Sequence, residues 1–293
     1  MDYIILGFDT YTILLSFFIY SFIGWVWEVF FVFLKTEKLI NRGFLNGPFC
    51  PIYGLGATVI FLFLSPVEYS LILVFIFGSL IATIIEYMVS AAMEHVFYAK
   101  WWDYSNKRYN LKGRICLSVS IGWGFFSIIM LKVFQPILSA YIARIPYTVG
   151  LLLIYFAILS LLLDFIYTSY YIKRFDKQIE HLSISKQELR QKLENSKLFE
   201  IREELLNKLE LNDNDLFEDI RERYFDIKNS TKENIEYFEN FIVEFKERKL
   251  KYRKFIQDRN FVERRILNAF PNLKHHKNSE IFDEIRKKFN QNK

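Results

Sequence analysis

The sequence is poor in the residues that build most soluble catalytic and metal sites. It has only 4 His and 2 Cys, Cys50 and Cys116, and no Cys-x-x-Cys. That gives a metal site little to draw on and excludes a disulfide scaffold. Neither Gly-x-x-x-x-Gly-Lys-Ser/Thr nor Gly-x-Gly-x-x-Gly occurs, so the chain is not expected to cradle nucleotide phosphates itself. Ser, Cys and His are not spaced as a nucleophile and its base, so no catalytic residue, no cofactor and no enzymatic activity are expected. Glycine is absent from residues 173–293, where Pro271 is the single proline. This tail carries 28 of the 38 Lys+Arg and 24 of the 33 Asp+Glu, whereas residues 1–172 carry 10 and 9. So even a balance in the tail argues against a nucleic-acid partner.

What residues 1–172 hold instead is long uncharged runs: Thr10 to Trp27, Gly43 to Val67, Tyr69 to Ile85, Ile115 to Leu131 and Ile145 to Leu163. Each is close to the roughly 20 apolar residues that cross a hydrocarbon core. The chain is therefore expected to be all-α: a polytopic helical membrane protein with about five transmembrane helices, followed by a charged helical, coiled-coil tail. The expected spans are 11–34, 48–65, 70–93, 115–138 and 147–172. The division falls between residues 1–172 and 173–293. Pro48, Pro51, Gly54 and Gly56 crowd the start of the second span, where a kinked or re-entrant entry is an alternative.

Lys and Arg orient these spans. Lys35, Lys38 and Arg42 mark the first loop, and Lys100, Lys107, Arg108, Lys112 and Arg114 the third. The second loop has none, and Arg144 with nearby Lys132 marks the fourth. This alternation predicts a multi-pass protein of the cell membrane, N-terminus outside and tail in the cytoplasm. The first helix lacks a basic leader and a small-residue cleavage site and is expected to be a retained anchor. Both cysteines then fall at cytoplasmic helix ends and are expected to be reduced.

Glu28, Glu86 and Asp164 each lie about 10–14 Å inside the cytoplasmic end of a helix. Small or polar residues flank them at helical spacing: Ser21 and Gly24; Gly78, Ala82 and Ser90; Ala157, Ser160 and Thr168. Such faces let helices approach closely, and carboxylates at this depth require partners or a polar interior. Arg42 and Arg114 are the candidate partners. The cluster reads either as a structural ion-pair network or as a substrate or ion site open to the cytoplasm. The stretch Asn41 to Gly54 is either a tight inter-helix turn or a loop that gates the cluster or docks a partner. Trp101, Trp102, Asp103 and Tyr104, after Lys100, read as a headgroup-level segment in contact with membrane lipids. Alternatively, Asp103 caps a turn or pairs with Arg114.

In the tail, Phe175, Ile179, Leu182, Leu189 and Leu193 follow a 4-3 spacing. Ser185–Glu188 and Ser230–Glu233 read as capping boxes, and Asn212–Asp215 as a turn. A long amphipathic run over 232–267 presents Ile235, Phe238, Phe241, Ile242 and Phe245 on one face, and Pro271 ends it. A last helix starts at Ser279. These seams suit packing within the chain or a homo-oligomer through the tail.

Blocks of this sequence resemble the bacterial putative ABC-transporter type IV membrane family. They are Phe22-Ile23-Gly24-Trp25-Val26-Trp27-Glu28, Asn41-Arg42-Gly43-Phe44-Leu45-Asn46-Gly47-Pro48, Cys50-Pro51-Ile52-Tyr53-Gly54, Trp101-Trp102-Asp103-Tyr104-Ser105 and Gly113-Arg114-Ile115-Cys116-Leu117. Arg265–Lys274 resembles a segment in the tails of longer members. The resemblance implies a permease-like subunit of a transport system, which would rely on a separate ATPase subunit, with the Asn41–Pro48 loop as the candidate contact, or on an ion gradient. It matches family positions at Glu28, Arg42, Asn46, Glu86, Trp102, Asp103 and Arg114. The polar intramembrane site is thus expected at Glu28, Arg42, Asn46, Glu86, Arg114 and Asp164. The second reading is a non-transporting membrane scaffold or sensor whose tail recruits a cytoplasmic partner, and the third an intramembrane enzyme using a carboxylate.

Overall fold

The computed structural model describes residues 4–194, 240, 243–244, 246–248, 250–252, 254–255, 259–271, 273–275 and 278–291. Among these the regular structure is helical apart from two-residue strand pairs. Helix α1 (Thr10–Thr36) starts where the Asp9 side chain accepts from the Thr12 backbone N–H, and ends at Glu37 in a left-handed turn. Helix α2 (Pro51–Leu64) opens with proline in its first turn, which needs no N–H partner there. Helix α3 (Leu71–Phe97) is capped by Ser70. Helix α4 (Leu117–Ile129) runs through a π-helical stretch, Met130–Phe134, into α5 (Gln135–Ile142). Pro136 accounts for that stretch: it has no N–H to give, and its ring excludes the carbonyl four residues back. Helix α6 (Tyr147–Glu194) is continuous.

Four of these helical segments are long and apolar enough to cross a membrane: Thr10–Thr36, Leu71–Phe97, Leu117–Ile142 and Tyr147–Glu188. The second expected span is the short one. Pro51–Val67 covers about 25 Å as a helix, because residues 37–50 form a folded-in loop and not part of the helix. The protein is therefore an all-α, multi-pass membrane protein. Phe22, Trp27, Phe63, Leu152, Phe156 and Ile166 are exposed, as lipid-facing side chains must be.

The chain divides into two compact units, Met1–Asp176 with Asn260–Lys277, and Lys177–Arg259 with Asn278–Lys293. The segment Asn260–Lys277, which charge composition groups with the tail, thus belongs with the apolar helices. In the first unit, glycines set the distance between helices. A Cβ on Gly54 would collide with the Phe17 carbonyl and Ser21 Oγ of α1, and one on Gly24 with the Tyr53 ring of α2. Gly78 and Gly124 do the same between α3 and α4, against Ser127, Ser79 and Phe75. Ser79 Oγ donates to the Ser120 carbonyl (2.8 Å) across the same α3–α4 face, and Tyr20 Oη donates to buried Gln135 (2.8 Å), which ties α1 to α5.

The first unit also contains helix α7 (Phe261–Ala269) and three antiparallel strand pairs. Strand β1 (Ile4–Ile5) pairs with β2 (Phe8–Asp9). Strand β3 (Ala99–Lys100) pairs with β6 (Lys274–His275), and β4 (Asn110–Leu111) with β5 (Ile115–Cys116). The β4–β5 connection is three residues long, and Lys112 and Gly113 both have positive φ at the centre of a turn closed by the Arg114 N–H on the Leu111 carbonyl (3.0 Å).

In the second unit, α8 (Ser279–Gln291) buries Ile281, Phe282 and Ile285. Lys186 pairs with Glu280 (3.0 Å), Tyr252 Oη donates to Glu284 (3.2 Å), and Arg248 donates to Ser185 and pairs with Glu244. Two tail expectations are corrected. Ser185–Glu188 is not a helix start, because α6 runs straight through it and Ser185 Oγ instead accepts from Arg248 (2.7 Å). The run over 232–267 is broken at Asn260, whose side chain caps α7 through the Val262 N–H. The last helix does begin at Ser279, and α7 ends just before Phe270 and Pro271. Ser230–Glu233, Asn212–Asp215, the side chains of Leu189 and Leu193, and Ile235, Phe238, Phe241, Ile242 and Phe245 lie outside the described residues.

The glycine contacts give a direct test. Gly54→Val is expected to destabilise the protein in detergent by about 2–4 kcal/mol through overpacking against α1. Gly56→Ala, which meets nothing within 4 Å, is expected to be neutral or slightly stabilising. Thermal unfolding of the two variants checks this.

Candidate binding cavity

Loop 37–50 turns on Asn41. Its Oδ1 accepts from Trp25 Nε1 (2.9 Å) and the Gly43 N–H (3.0 Å), while its Nδ2 donates to the Asn46 carbonyl (2.7 Å). The loop thereby folds inward and buries Leu45. Its far side is held by Asp164 on α6. Asp164 Oδ1 accepts from the Asn46 N–H (3.1 Å), Asn46 Nδ2 (2.8 Å) and Thr168 Oγ1 (3.0 Å), and Oδ2 accepts from the Gly47 N–H (2.7 Å). This carboxylate is satisfied by amides and a hydroxyl, and it does not line the cavity described below.

Arg265 on α7 closes the same loop. Its guanidinium donates to Asn46 Oδ1 (3.0 Å), the Gly43 carbonyl (2.6 Å) and the Phe44 carbonyl (2.7 Å). The side chain is buried, which pushes its pKa down to about 10 against the opposing pull of Asp164. At neutral pH it therefore stays charged and keeps all its donors. Asn46 stands between the two charges, with its amide on Asp164 and its carbonyl on Arg265.

The loop between α3 and α4 is built on Asp103, which accepts from the Ser105 N–H (3.0 Å), Ser105 Oγ (2.5 Å) and Lys274 Nζ (2.7 Å). Burial raises the Asp103 carboxyl pKa, but the bonds from Lys274 and Ser105 outweigh it and hold the group well below the usual carboxylate range. Gly113 is required here: its φ is +70°, and a Cβ would press on Asp103 and Ser105. Trp101 is buried between Phe44, Phe97 and Phe270, and Trp102 Nε1 donates to the Arg114 carbonyl (3.0 Å). Trp101 therefore packs into the protein, and Trp102 is tied to the start of α4. Asp103 does cap a turn, but its ionic partner is Lys274 and not Arg114.

Arg114 takes a different carboxylate from those expected. Its Nε and Nη2 each meet Glu94 at 2.9 Å, and Nη1 donates to Tyr87 Oη (3.2 Å), which raises the Arg114 pKa. The reason is helical position: Glu94 lies two turns beyond Glu86 on α3, level with the loop that carries Arg114.

Glu28 and Glu86 do come together, across a cavity of about 590 Å³. Arg42 pairs with Glu28 (3.5 Å), whose Oε1 accepts from Tyr53 Oη (2.5 Å). Glu86 is 6% exposed and accepts from Tyr104 Oη (3.1 Å) and Trp123 Nε1 (3.0 Å). Burial, and after it the negative charge of Glu86, raises the Tyr104 hydroxyl pKa, so Tyr104 remains a donor. Glu28, Arg42 and Glu86 are the charged groups of the wall; the rest is aliphatic and aromatic, including Tyr53, Trp102, Trp123, Phe126 and, from the segment after α7, Phe270.

Of the expected cluster, Glu28, Arg42 and Glu86 share one cavity; Asn46 and Asp164 form a separate loop clamp, and Arg114 stands apart with Glu94. Sequence reading missed Tyr53, Trp123, Arg265 and Lys274. Arg265 did carry a signal, as a cation among Phe261, Val262, Ile266 and Leu267 in a block already marked by resemblance.

Residues 15–169 match the family model described as Putative ABC-transporter type IV. The match spans more than half of the chain and takes in both loops and all three intramembrane carboxylates. The chain belongs to this family. No curated protein and no solved structure matches it.

Two predictions concern the loop clamp. Arg265→Met is expected to cost about 2–4 kcal/mol, because buried carbonyls and Asn46 lose their donors together. Hydrogen exchange over residues 41–50 should rise accordingly. Asp103 is depressed on folding, so its pairing with Lys274 stabilises the fold above the unfolded carboxylate value of about 3.9 and is lost as pH falls through the lower folded value. Exchange-corrected protection at Ala99, Lys100, Lys274 and His275 should hold from pH 7 to pH 5. Lys274→Met should weaken it by no more than about 1 kcal/mol, since Lys274 is largely exposed.

Proposed function

We propose that this chain is a permease-like membrane subunit of a transport system, and that the cavity holding Glu28 and Glu86 is its passenger site. The observation that carries the reading is that cavity: a small-molecule volume with few polar groups in an apolar wall, between helices of a membrane domain. Carboxylates within helical membrane segments are costly, face the bundle interior and mark substrate or ion pathways in many membrane proteins. The family to which the chain belongs supports a transport role.

In this reading the chain is not an enzyme and lies in the cell membrane, N-terminus outside and tail in the cytoplasm. The Lys/Arg alternation supports that orientation. The contact of loop 37–50, loop 98–116 and the segment Asn260–Lys277 at one end of the helices puts these segments on one side of the membrane, and the Lys/Arg count is what assigns that side to the cytoplasm. The passenger then meets the cavity from the cytoplasmic side, and energy comes from a separate ATPase, with loop 41–48 the surface placed to meet it. A scaffold or sensor is the second reading, favoured by Arg265 and Lys274, which tie part of the C-terminal sequence to both loops.

Native purification separates the two. The tagged protein, extracted from its own membranes in mild detergent, is expected to bring down a stoichiometric nucleotide-binding protein, identified by mass spectrometry. Recovery alone, or with a non-ATPase partner lost on tail deletion, counts against the permease and for the scaffold.

A further inference from the structure

The two carboxylates of the cavity are not equivalent. Glu28 has a counter-charge in Arg42 at 3.5 Å and a hydroxyl donor in Tyr53. Glu86 has the Tyr104 hydroxyl and the Trp123 indole, both neutral, and no Lys or Arg pairs with it among the described residues. A buried carboxylate held by two neutral donors still lacks a counter-charge, and a low-dielectric interior makes that costly. The space beside it that can admit one is the cavity, whose wall carries the aromatic rings of Tyr53, Trp102, Trp123 and Phe126, residue types that attract cations over their ring faces. Trp101, in the same wall, has a buried indole N–H without a partner, which an acceptor atom on a ligand would satisfy.

We propose that the cavity binds a lipophilic organic cation, an amine or quaternary centre on an apolar body, with its positive charge against Glu86 and its body among the aromatic side chains. This rests on the reading of the cavity as a passenger site and names the class of passenger. The volume of about 590 Å³ lies within the roughly 300–1,000 Å³ typical of small-molecule pockets. Net charge gives the selectivity: Glu28 and Arg42 cancel, Glu86 remains, and an anion of the same shape is repelled.

Tetraphenylphosphonium and tetraphenylborate have nearly the same shape and opposite charge, and they test this on the unmodified full chain. Saturable binding to the purified protein is measured by equilibrium dialysis against matched detergent. Tetraphenylphosphonium is expected to bind at least tenfold more tightly than tetraphenylborate. Glu86→Gln should weaken the cation at least tenfold without weakening the anion, and Ala82→Phe, which fills the wall beside Glu86, should abolish cation binding. Equal affinity for the two ions, preference for the anion, or no saturable binding of either overturns the proposal, as does full cation affinity in Glu86→Gln. If Glu86→Gln does not fold, the ion pair on the unmodified protein and Ala82→Phe still decide. Loss of the ATPase partner in the native purification would remove the permease reading and leave these affinities as they are; anion preference would remove the passenger class alone.

Discussion

Charge taken out of water must be matched inside, and the arrangement of the membrane unit follows from how each buried carboxylate meets that demand. Asp164 takes amides from loop 37–50, with Arg265 one residue away through Asn46. That contact fixes the loop and at the same time fixes α7. Glu94 takes Arg114 and so anchors the start of α4. Glu28 takes Arg42 and Tyr53, which places α2 against α1. Breaking any of these leaves a charge stranded at low dielectric, a larger loss than that of one surface pair. Glu86, like Asp164, is matched by neutral donors alone, but unlike Asp164 it lines the cavity, where Glu28 has Arg42 as its counter-charge.

Small residues create the geometry in which this is possible. Gly24 and Gly54 bring α1 and α2 close, and Gly78 and Gly124 do so for α3 and α4. Large aromatic side chains then fill the space around the loops, and what they leave is the cavity. Met130, at the head of the π-helical stretch, is fully buried and forms part of its wall. A break in helical register there lies directly against the site, where π-helical turns in helices are often found.

The spans were legible because hydropathy is a local property of sequence. So was the face of α3: Gly78, Ala82, Glu86 and Ser90 recur at helical spacing and are all buried. Pairings were not legible. Arg114 is as near in sequence to Asp103 as to any other acid, yet loop geometry sets it on Glu94, twenty residues away. Trp101 has the composition of a headgroup anchor, but Phe44, Phe97 and Phe270 from three other segments enclose it. Arg265 reaches a loop more than two hundred residues earlier, which no spacing rule reports. Ser185 satisfies a capping pattern inside a helix that tertiary contacts keep continuous.

The central claim is that Arg42 neutralises Glu28 and leaves Glu86 without a cation. A double-mutant cycle measures this in free energy, using Arg42→Met combined with Glu28→Gln and separately with Glu86→Gln, by unfolding in detergent. The account predicts a coupling of about 1 kcal/mol between Arg42 and Glu28, and a value near zero between Arg42 and Glu86. Coupling of Arg42 to Glu86 as large as that to Glu28 would contradict it.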